Sequence, residues 1–278
     1  MKKLIVIGGP TCSGKTDYAV ELALMHQTEI ISADARQFYR GMEIGTAQPD
    51  VEILQKVKHH LVGHLKVTDI YTAGLFEKDV LKLLDELFTR HDTVIMAGGS
   101  GLFIQAVCEG LDEMPASRII REELNKCSLE EMQRELEEKD PAYYEKVDLH
   151  NPRRVQRALE VIRITGQPYS TLRQQRKKIR PFETEAYRLH VPREELETRI
   201  RSRVDEMMKK GLLNEVEKLI PYRNENALKT VGYAELFAYL DGRMTLAEAV
   251  ENIKIHTRQY AKRQETWFSA RDMQVIQR

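Results

Sequence analysis

The stretch 3-KLIVIGGPTCSGKTDYAVELALMH-26 decides the fold. Leu4 to Ile7 form a short, unbroken apolar run closed by Gly8 and Gly9, which reads as a strand buried on both faces. "KTDYAVELALMH" then spaces its apolar residues at helical intervals. Between the two, Gly9, Pro10, Thr11, Cys12, Ser13, Gly14, Lys15 and Thr16 fit G-x-x-x-x-G-K-[ST], in the strand–loop–helix setting that this pattern requires. Glycines there let backbone N–H groups converge on an anion, and the helix N-terminus adds its dipole. Lys15 adds a charge, and the Thr16 hydroxyl can ligate magnesium. The plainer alternative is a glycine-rich turn carrying an incidental lysine, and the context weighs against it.

Working outward, "TEIISAD" (28–34) reads as a second strand, "DVLKLLDELFTRH" (79–91) as a helix and "DTVIMAGG" (92–99) as a third strand. Strands alternating with helices predict an α/β fold: a P-loop NTPase-like parallel sheet flanked by helices, with ligands at the carboxyl ends of the strands. After Pro115 the texture changes to charged, helical sequence with no strand candidate, until "YRLHV" (187–191) returns to the sheet. The expected organisation is a core of residues 1–115 and 186–278 with an inserted helical domain at 116–185. In the last long helix, Leu246, Val250, Ile253, Tyr260 and Trp267 read as the core stripe, with Arg258, Lys262 and Arg263 off it.

Lys plus Arg and Asp plus Glu are each 43, so any anionic partner must be met by local clustering of charge. Three scattered cysteines without C-x-x-C argue against a disulfide framework and suit a reducing cytoplasm. The apolar opening ends at Ile7, well short of a signal sequence or a membrane span. A cytoplasmic monomer is the expectation.

A phosphate loop ordinarily serves ATP or GTP, yet the third strand ends in Gly and Ser where a Walker-B acid would stand, and no N-K-x-D guanine signature follows. Asp34, at the carboxyl end of the second strand, faces the loop if those two strands are neighbours. It suits a general base or a second-layer magnesium partner; a helix cap or turn is the bland alternative. Arg36, Gln37, Tyr39 and Arg40 follow, with Gly41 and Gly45 suggesting a shaped loop.

Seven segments in register carry a more specific likeness: "GPTCSGKT", "ISADARQFYRGMEIGTAQP", "HHLVGH", "AGGSGLF", "RRVQRALEV", "VGYAELFAYLDG" and "TRQYAKRQETWF". Over nearly the whole chain the sequence resembles the tRNA dimethylallyltransferase (tRNA isopentenyltransferase) family. The resemblance implies transfer of a dimethylallyl group from dimethylallyl diphosphate to the N6 amine of the adenosine 3′ of the anticodon. It implies that the loop holds a prenyl diphosphate, with Lys15, Thr16 and Mg2+ on the leaving group, and that Asp34 is the base. Ser100 stands where the family usually has Thr, and either hydroxyl can donate to a diphosphate oxygen. Cys12 replaces a commonly small residue and reads as packing.

Allylic diphosphates react with carbocation character, so charge develops on the departing diphosphate, where preorganised donors are most effective. The acceptor amine shares its lone pair with the purine, so a carboxylate taking its proton assists attack. The base must leave its stack to reach a buried donor. The resemblance assigns tRNA contact to Asp34, Ala35, Arg36, Gln37 and Ser100, to Arg121, and to Arg153, Arg154, Val155, Gln156 and Arg157. The sequence adds Arg163, Arg173, Arg176, Lys177, Lys178 and Arg180 as further cations, which taken alone describe a solvated face. His59, His60 and His64 lack a third ligand in metalloprotease spacing. Rival readings are an adenylate isopentenyltransferase using a free nucleotide, a P-loop small-molecule kinase, and an RNA-binding regulator without turnover.

Overall fold

The computed structural model describes residues 1–174 and 177–278. The chain divides into two compact units, Met1–Cys108 with Arg180–Arg278, and Glu109–Ile179. In the first, β1 (Lys3–Gly8), β2 (Ile30–Ser32), β3 (His59–His60), β4 (Thr93–Gly98), β5 (Glu183–His190) and β6 (Gln274–Gln277) form one sheet. Its order is β3-β2-β4-β1-β5-β6, and every pairing is parallel.

Successive side chains of a strand face opposite ways, and both faces of this sheet are apolar. Leu4, Val6, Val94 and Met96 enter one core cluster with Phe38, Phe76 and Phe268. Ile5, Ile7, Ile95 and Leu189 enter the other with Ala19, Val20 and Ala23. Each buried Ile or Leu contributes about 1.5–3 kcal/mol by leaving water. The register pairs Leu4 with Val94 and Gly8 with Gly98, so β1 and β4 end level, and the loops after them leave the sheet side by side.

The condition placed on Asp34, that its strand neighbours β1, is not met, and one strand boundary moves. β1 and β2 are not neighbours, because β4 lies between them. The sheet also resumes at Glu183, four residues earlier than the apolar "YRLHV" indicates. Glu183, Thr184 and Glu185 hide the strand from a pattern search, yet Glu185 forms an ion pair with Lys3 of β1 at 2.9 Å. The helical unit therefore spans 109–179 where the sequence suggested 116–185. β3, two residues long, and β6, mostly exposed at the sheet edge, gave no apolar signal.

Helices α1 (Lys15–Met25), α2 (Val51–Lys56), α3 (Ala73–Leu87) and α4 (Gly101–Glu109) follow the early strands. The second unit holds α5 (Arg118–Leu124), α6 (Leu129–Lys139), α7 (Pro141–Tyr144), α8 (Pro152–Thr165) and α9 (Tyr169–Leu172). Its core is Leu124, Met132, Leu136 and Tyr143 against the α8 stripe Val155, Ala158, Leu159 and Ile162, at helical spacing. Asn151 caps α8, Pro152 opens it and Gly166 closes it in the left-handed conformation.

The first unit resumes with α10 (Arg193–Lys209), α11 (Leu212–Lys218), α12 (Tyr233–Leu240) and α13 (Leu246–Ser269). A capping box of Thr245 and Glu248 starts α13. Its buried stripe is Ala249, Ile253, Ala261, Gln264 and Phe268. Leu246, Val250 and Trp267 are only partly buried beside the core, because two small residues and one amide occupy positions that hydrophobicity alone would not choose. Among the described residues no helix is long and apolar enough to cross a membrane.

Candidate active site

The phosphate loop is built from backbone conformations that few residues adopt. Gly14 caps α1 at φ 83°, and Cys12 sits at φ 64°. No side chain caps the start of α1, so its first-turn amides are left for an anion. Lys15 is half-buried along its length, and its ammonium, enclosed by the loop, donates to the Pro10 carbonyl. Burial pushes its pKa down to about 8, against the pull of Asp34 and with the repulsion of Arg203. Ser13 is fully buried, and its Oγ has no hydrogen-bond partner.

Beyond β2 the chain turns at once. Ala33 N–H donates to Ala97 O of β4 at 2.8 Å, and Ser100 N–H donates back to Ala33 O at 3.2 Å. The strands approach so closely that a Cβ on Gly98 would lie 2.1 Å from Ala33 O, so glycine is required there. Ser100 Oγ accepts from Ala35 N–H at 2.8 Å, while Asp34 Oδ1 accepts from Arg36 N–H at 3.1 Å. Ser100 thus holds the turn that presents Asp34, and its own hydroxyl proton stays available.

Asp34 shares a cavity with Thr11 of the phosphate loop although their strands are not adjacent. Arg203, Arg36 and Tyr260 line its polar part, and Val204, Met207, Val231 and Ile253 its apolar part. Arg203 reaches the loop from α10, with Nη1 3.4 Å from both Thr11 Oγ1 and Cys12 Sγ. Burial raises the Tyr260 pKa and keeps the phenol neutral. The cavity thus joins an anion cradle, a carboxylate and an apolar wall.

Some predicted residues are engaged elsewhere. Gln37 Nε2 donates to Ala47 O at 2.9 Å and its Oε1 accepts from Ser32 Oγ at 3.2 Å, so this amide braces the loop that was expected to meet RNA. Arg36 donates to the carbonyls of Asn226 and Ala227 at 2.9 and 3.1 Å. Glu215 accepts from Ile44 N–H, Gly45 N–H and Tyr233 OH at 2.7–2.9 Å and pins the far side of the same loop.

In the helical unit, Arg153 and Arg154 are exposed on the first turn of α8 and form no ion pair among the described residues. Val155 is a correction: it is fully buried in that unit's core and offers no side chain to a ligand. Arg121 pairs with Glu160 at 2.7 Å, and Arg157 bonds the same carboxylate and the carbonyls of Pro115 and Met114. Gln156 donates to Asn125 at 2.8 Å. Glu160 is 1% exposed; burial would raise its pKa, but Arg157, Ser117 N–H and Arg121 together hold it below the usual carboxylate range.

Of the remaining cations, Arg163 pairs with Glu135, Lys177 with Glu109 and Lys178 with Glu113. Arg180 bonds Glu77 and Ala106 O in the interior of the first unit. Arg173 is exposed, and Arg176 lies outside the described residues. On α13, Arg258 pairs with Glu197, while Lys262 and Arg263 are exposed. His59 bonds Val57 O, His60 bonds Glu29, and His64 packs edge-on against Phe38 and Tyr71. Among the described residues no three His, Cys, Asp or Glu gather in a metal-binding group.

Sequence reasoning missed Arg203, Gln264 and Glu215. Arg199, Arg201 and Arg203 alternate along a charged helix, and Arg201 is spent on Glu251 at 3.0 Å. Nothing in the local pattern separates the one that turns inward.

A family model for IPP transferase matches residues 37–271, beginning after β2 and Asp34. A tRNA dimethylallyltransferase 1 of Bacteroides thetaiotaomicron is 44% identical over 99% of this chain and 91% of its own length. A tRNA dimethylallyltransferase of Cytophaga hutchinsonii is 45% identical over 96% and 90%. The crystal structure of a tRNA isopentenylpyrophosphate transferase from Bacillus halodurans superposes with a TM-score of 0.74 at 34% identity, covering all of this chain and 90% of that one. A eukaryotic dimethylallyltransferase acting on tRNA gives 0.85 at 26% identity, covering all of this chain and 74% of that one. With a phosphate loop, an acidic turn and the family's match across most of its length, the chain belongs to the IPP transferase family.

Proposed function

We propose that the protein transfers a dimethylallyl group from dimethylallyl diphosphate to the N6 amine of the adenosine 3′ of the anticodon in tRNA, releasing diphosphate. The observation that carries this reading is one cavity holding Thr11 of the phosphate loop, Arg203 and Asp34 at its polar part, and Val204, Met207 and Ile253 at its apolar part. A kinase acceptor site needs no apolar wall of this kind, whereas a branched five-carbon tail does.

The diphosphate lies against the amides of the loop and α1, with Lys15, Arg203 and the Ser100 hydroxyl as further donors. As the allylic C–O bond breaks, the negative charge moves onto oxygens these groups already face. The N6–C1 bond forms as the amine proton passes to Asp34, and diphosphate carries away the electron pair of the broken bond. The Thr16 hydroxyl is the loop side chain that would hold Mg2+, and among the described residues no group of three His, Cys, Asp or Glu offers another site. When bound, the ion supplies charge neutralisation to the leaving diphosphate. Arg153 and Arg154 are the exposed cations that the reading assigns to tRNA phosphates. Arg36, Gln37, Arg121, Gln156 and Arg157, also matched to tRNA contact, are bonded within their own units.

Incubation with radiolabelled dimethylallyl diphosphate, unmodified tRNA and AMP tests the reading. Label in tRNA is the expected result. Label in AMP makes the enzyme a free-nucleotide prenyltransferase, and ATP hydrolysis without prenyl transfer makes it kinase-like; either refutes the proposal.

A further inference from the structure

Gln264, on α13, is 6% exposed and uses both ends of its amide. Its Oε1 accepts from Thr11 N–H at 2.9 Å, and its Nε2 donates to Gly99 O at 2.9 Å. A backbone donor on one side and a carbonyl on the other leave only one orientation of the amide. A Cβ on Gly99 would lie 2.2 Å from Nε2, so glycine is what admits the side chain this close. Gln264 therefore bridges the phosphate loop and the turn after β4.

That turn leads directly to the candidate base. Gly99 precedes Ser100, whose Oγ holds Ala35 N–H at 2.8 Å, and Ala35 follows Asp34. A continuous series of bonds thus runs from Thr11 through Gln264, Gly99, Ser100 and Ala35 to Asp34. Gln264 is not among the residues that line the cavity of Thr11 and Asp34.

We infer that Gln264 is a positioning residue that sets the separation between the phosphate cradle and Asp34. The inference rests on the transfer reaction proposed above. Loss of the bridge leaves each loop in place on its own strand and lets the two drift relative to each other. A misplacement of about 1 Å costs a reaction of this kind roughly 100-fold, while a phosphate cradle that is still intact keeps its affinity.

The test compares Gln264→Met, which removes both bonds at similar volume, with Gln264→Glu, which keeps the acceptor for Thr11 and sets a carboxylate against the Gly99 carbonyl. Single-turnover transfer to tRNA at saturating donor is measured per folded protein, alongside the Kd for inorganic diphosphate and the thermal midpoint. Transfer should fall about 100-fold in Gln264→Met, with diphosphate Kd within about threefold. In an Asp34→Ala background the same substitution should cost less than about threefold, because it acts through that carboxylate. If Gln264→Met does not fold, Gln264→Glu carries the same comparison. Transfer within threefold of wild type in either folded variant, even with a lowered thermal midpoint, overturns the inference and leaves Gln264 as packing. An equal loss with and without Asp34 also overturns it. A wild-type protein that binds diphosphate but prenylates nothing sinks the proposed reaction instead.

Discussion

Lys15 gives the site a pH dependence that can be worked out in advance. Enclosure in the loop lowers its pKa to about 8, so at pH 9 only about one free protein in eleven carries the proton. A bound diphosphate favours the ammonium and raises that pKa again. Binding is then coupled to proton uptake: up to about half a proton at pH 8, and a Kd that rises by up to about tenfold between pH 7 and pH 9. Titration calorimetry with inorganic diphosphate in two buffers of different ionisation enthalpy reads both quantities. Lys15→Met should bind more weakly at pH 7 and lose the slope. The same depressed pKa has a conformational counterpart. The unfolded chain binds more protons between pH 8 and 10.5, so the penalty of enclosing the charge is full below pH 8 and is relieved as pH rises through that window. A diphosphate Kd that stays level from pH 7 to pH 9, or an equal slope in Lys15→Met, would refute the argument.

Three further outcomes are expected. Asp34→Ala should lower single-turnover prenylation by roughly 100-fold or more with tRNA affinity nearly intact; an unchanged rate removes Asp34 from the base role. Glu160→Ala should destabilise the helical unit by about 1–3 kcal/mol, because Ser117 N–H, Arg121 and Arg157 lose their common acceptor; limited proteolysis within 109–179 reads this, and wild-type resistance would argue against it. The lowered Glu160 pKa means that this contribution is present near neutrality and lost as pH falls through it. Replacing Arg153 and Arg154 by Glu should weaken tRNA binding and reduce the slope of log K against log salt by about 0.7 per lost contact. An unchanged slope by fluorescence anisotropy would free both from phosphate contact.

The parts of this protein legible in its sequence are those specified by neighbours in the chain. The phosphate loop, α1 and the apolar strands β1 and β4 each declare themselves within a dozen residues. Asp34 and Ser100 stand out because they end strands. The position of β4 between β1 and β2 is a matter of sheet order, which no local pattern records. Arg203 and Gln264 become part of the site only when α10 and α13 fold back on a loop some 190 and 250 residues away in the chain, as Thr11 contacts separated by 192 and 253 positions show. Gln264 was hidden more deeply, as an amide in a stripe read as apolar. In the helical unit the reverse happened: arginines grouped by sequence separate in space into exposed Arg153 and Arg154 and into Arg121 and Arg157, held by one interior carboxylate.

The interposed strand gives the pocket its gauge. Neighbouring strands run about 4.8 Å apart, so loops leaving β1 and β2 on either side of β4 start about 10 Å from one another. Hydrogen bonds between main chains, rather than the reach of flexible loops, dictate that span. It is wide enough for an extended allylic carbon to lie between its leaving group and an incoming nitrogen, and too wide for the carboxylate to sit on the phosphates themselves. The sheet sets this coarse span, and the Gln264 bridge fixes the two loops within it.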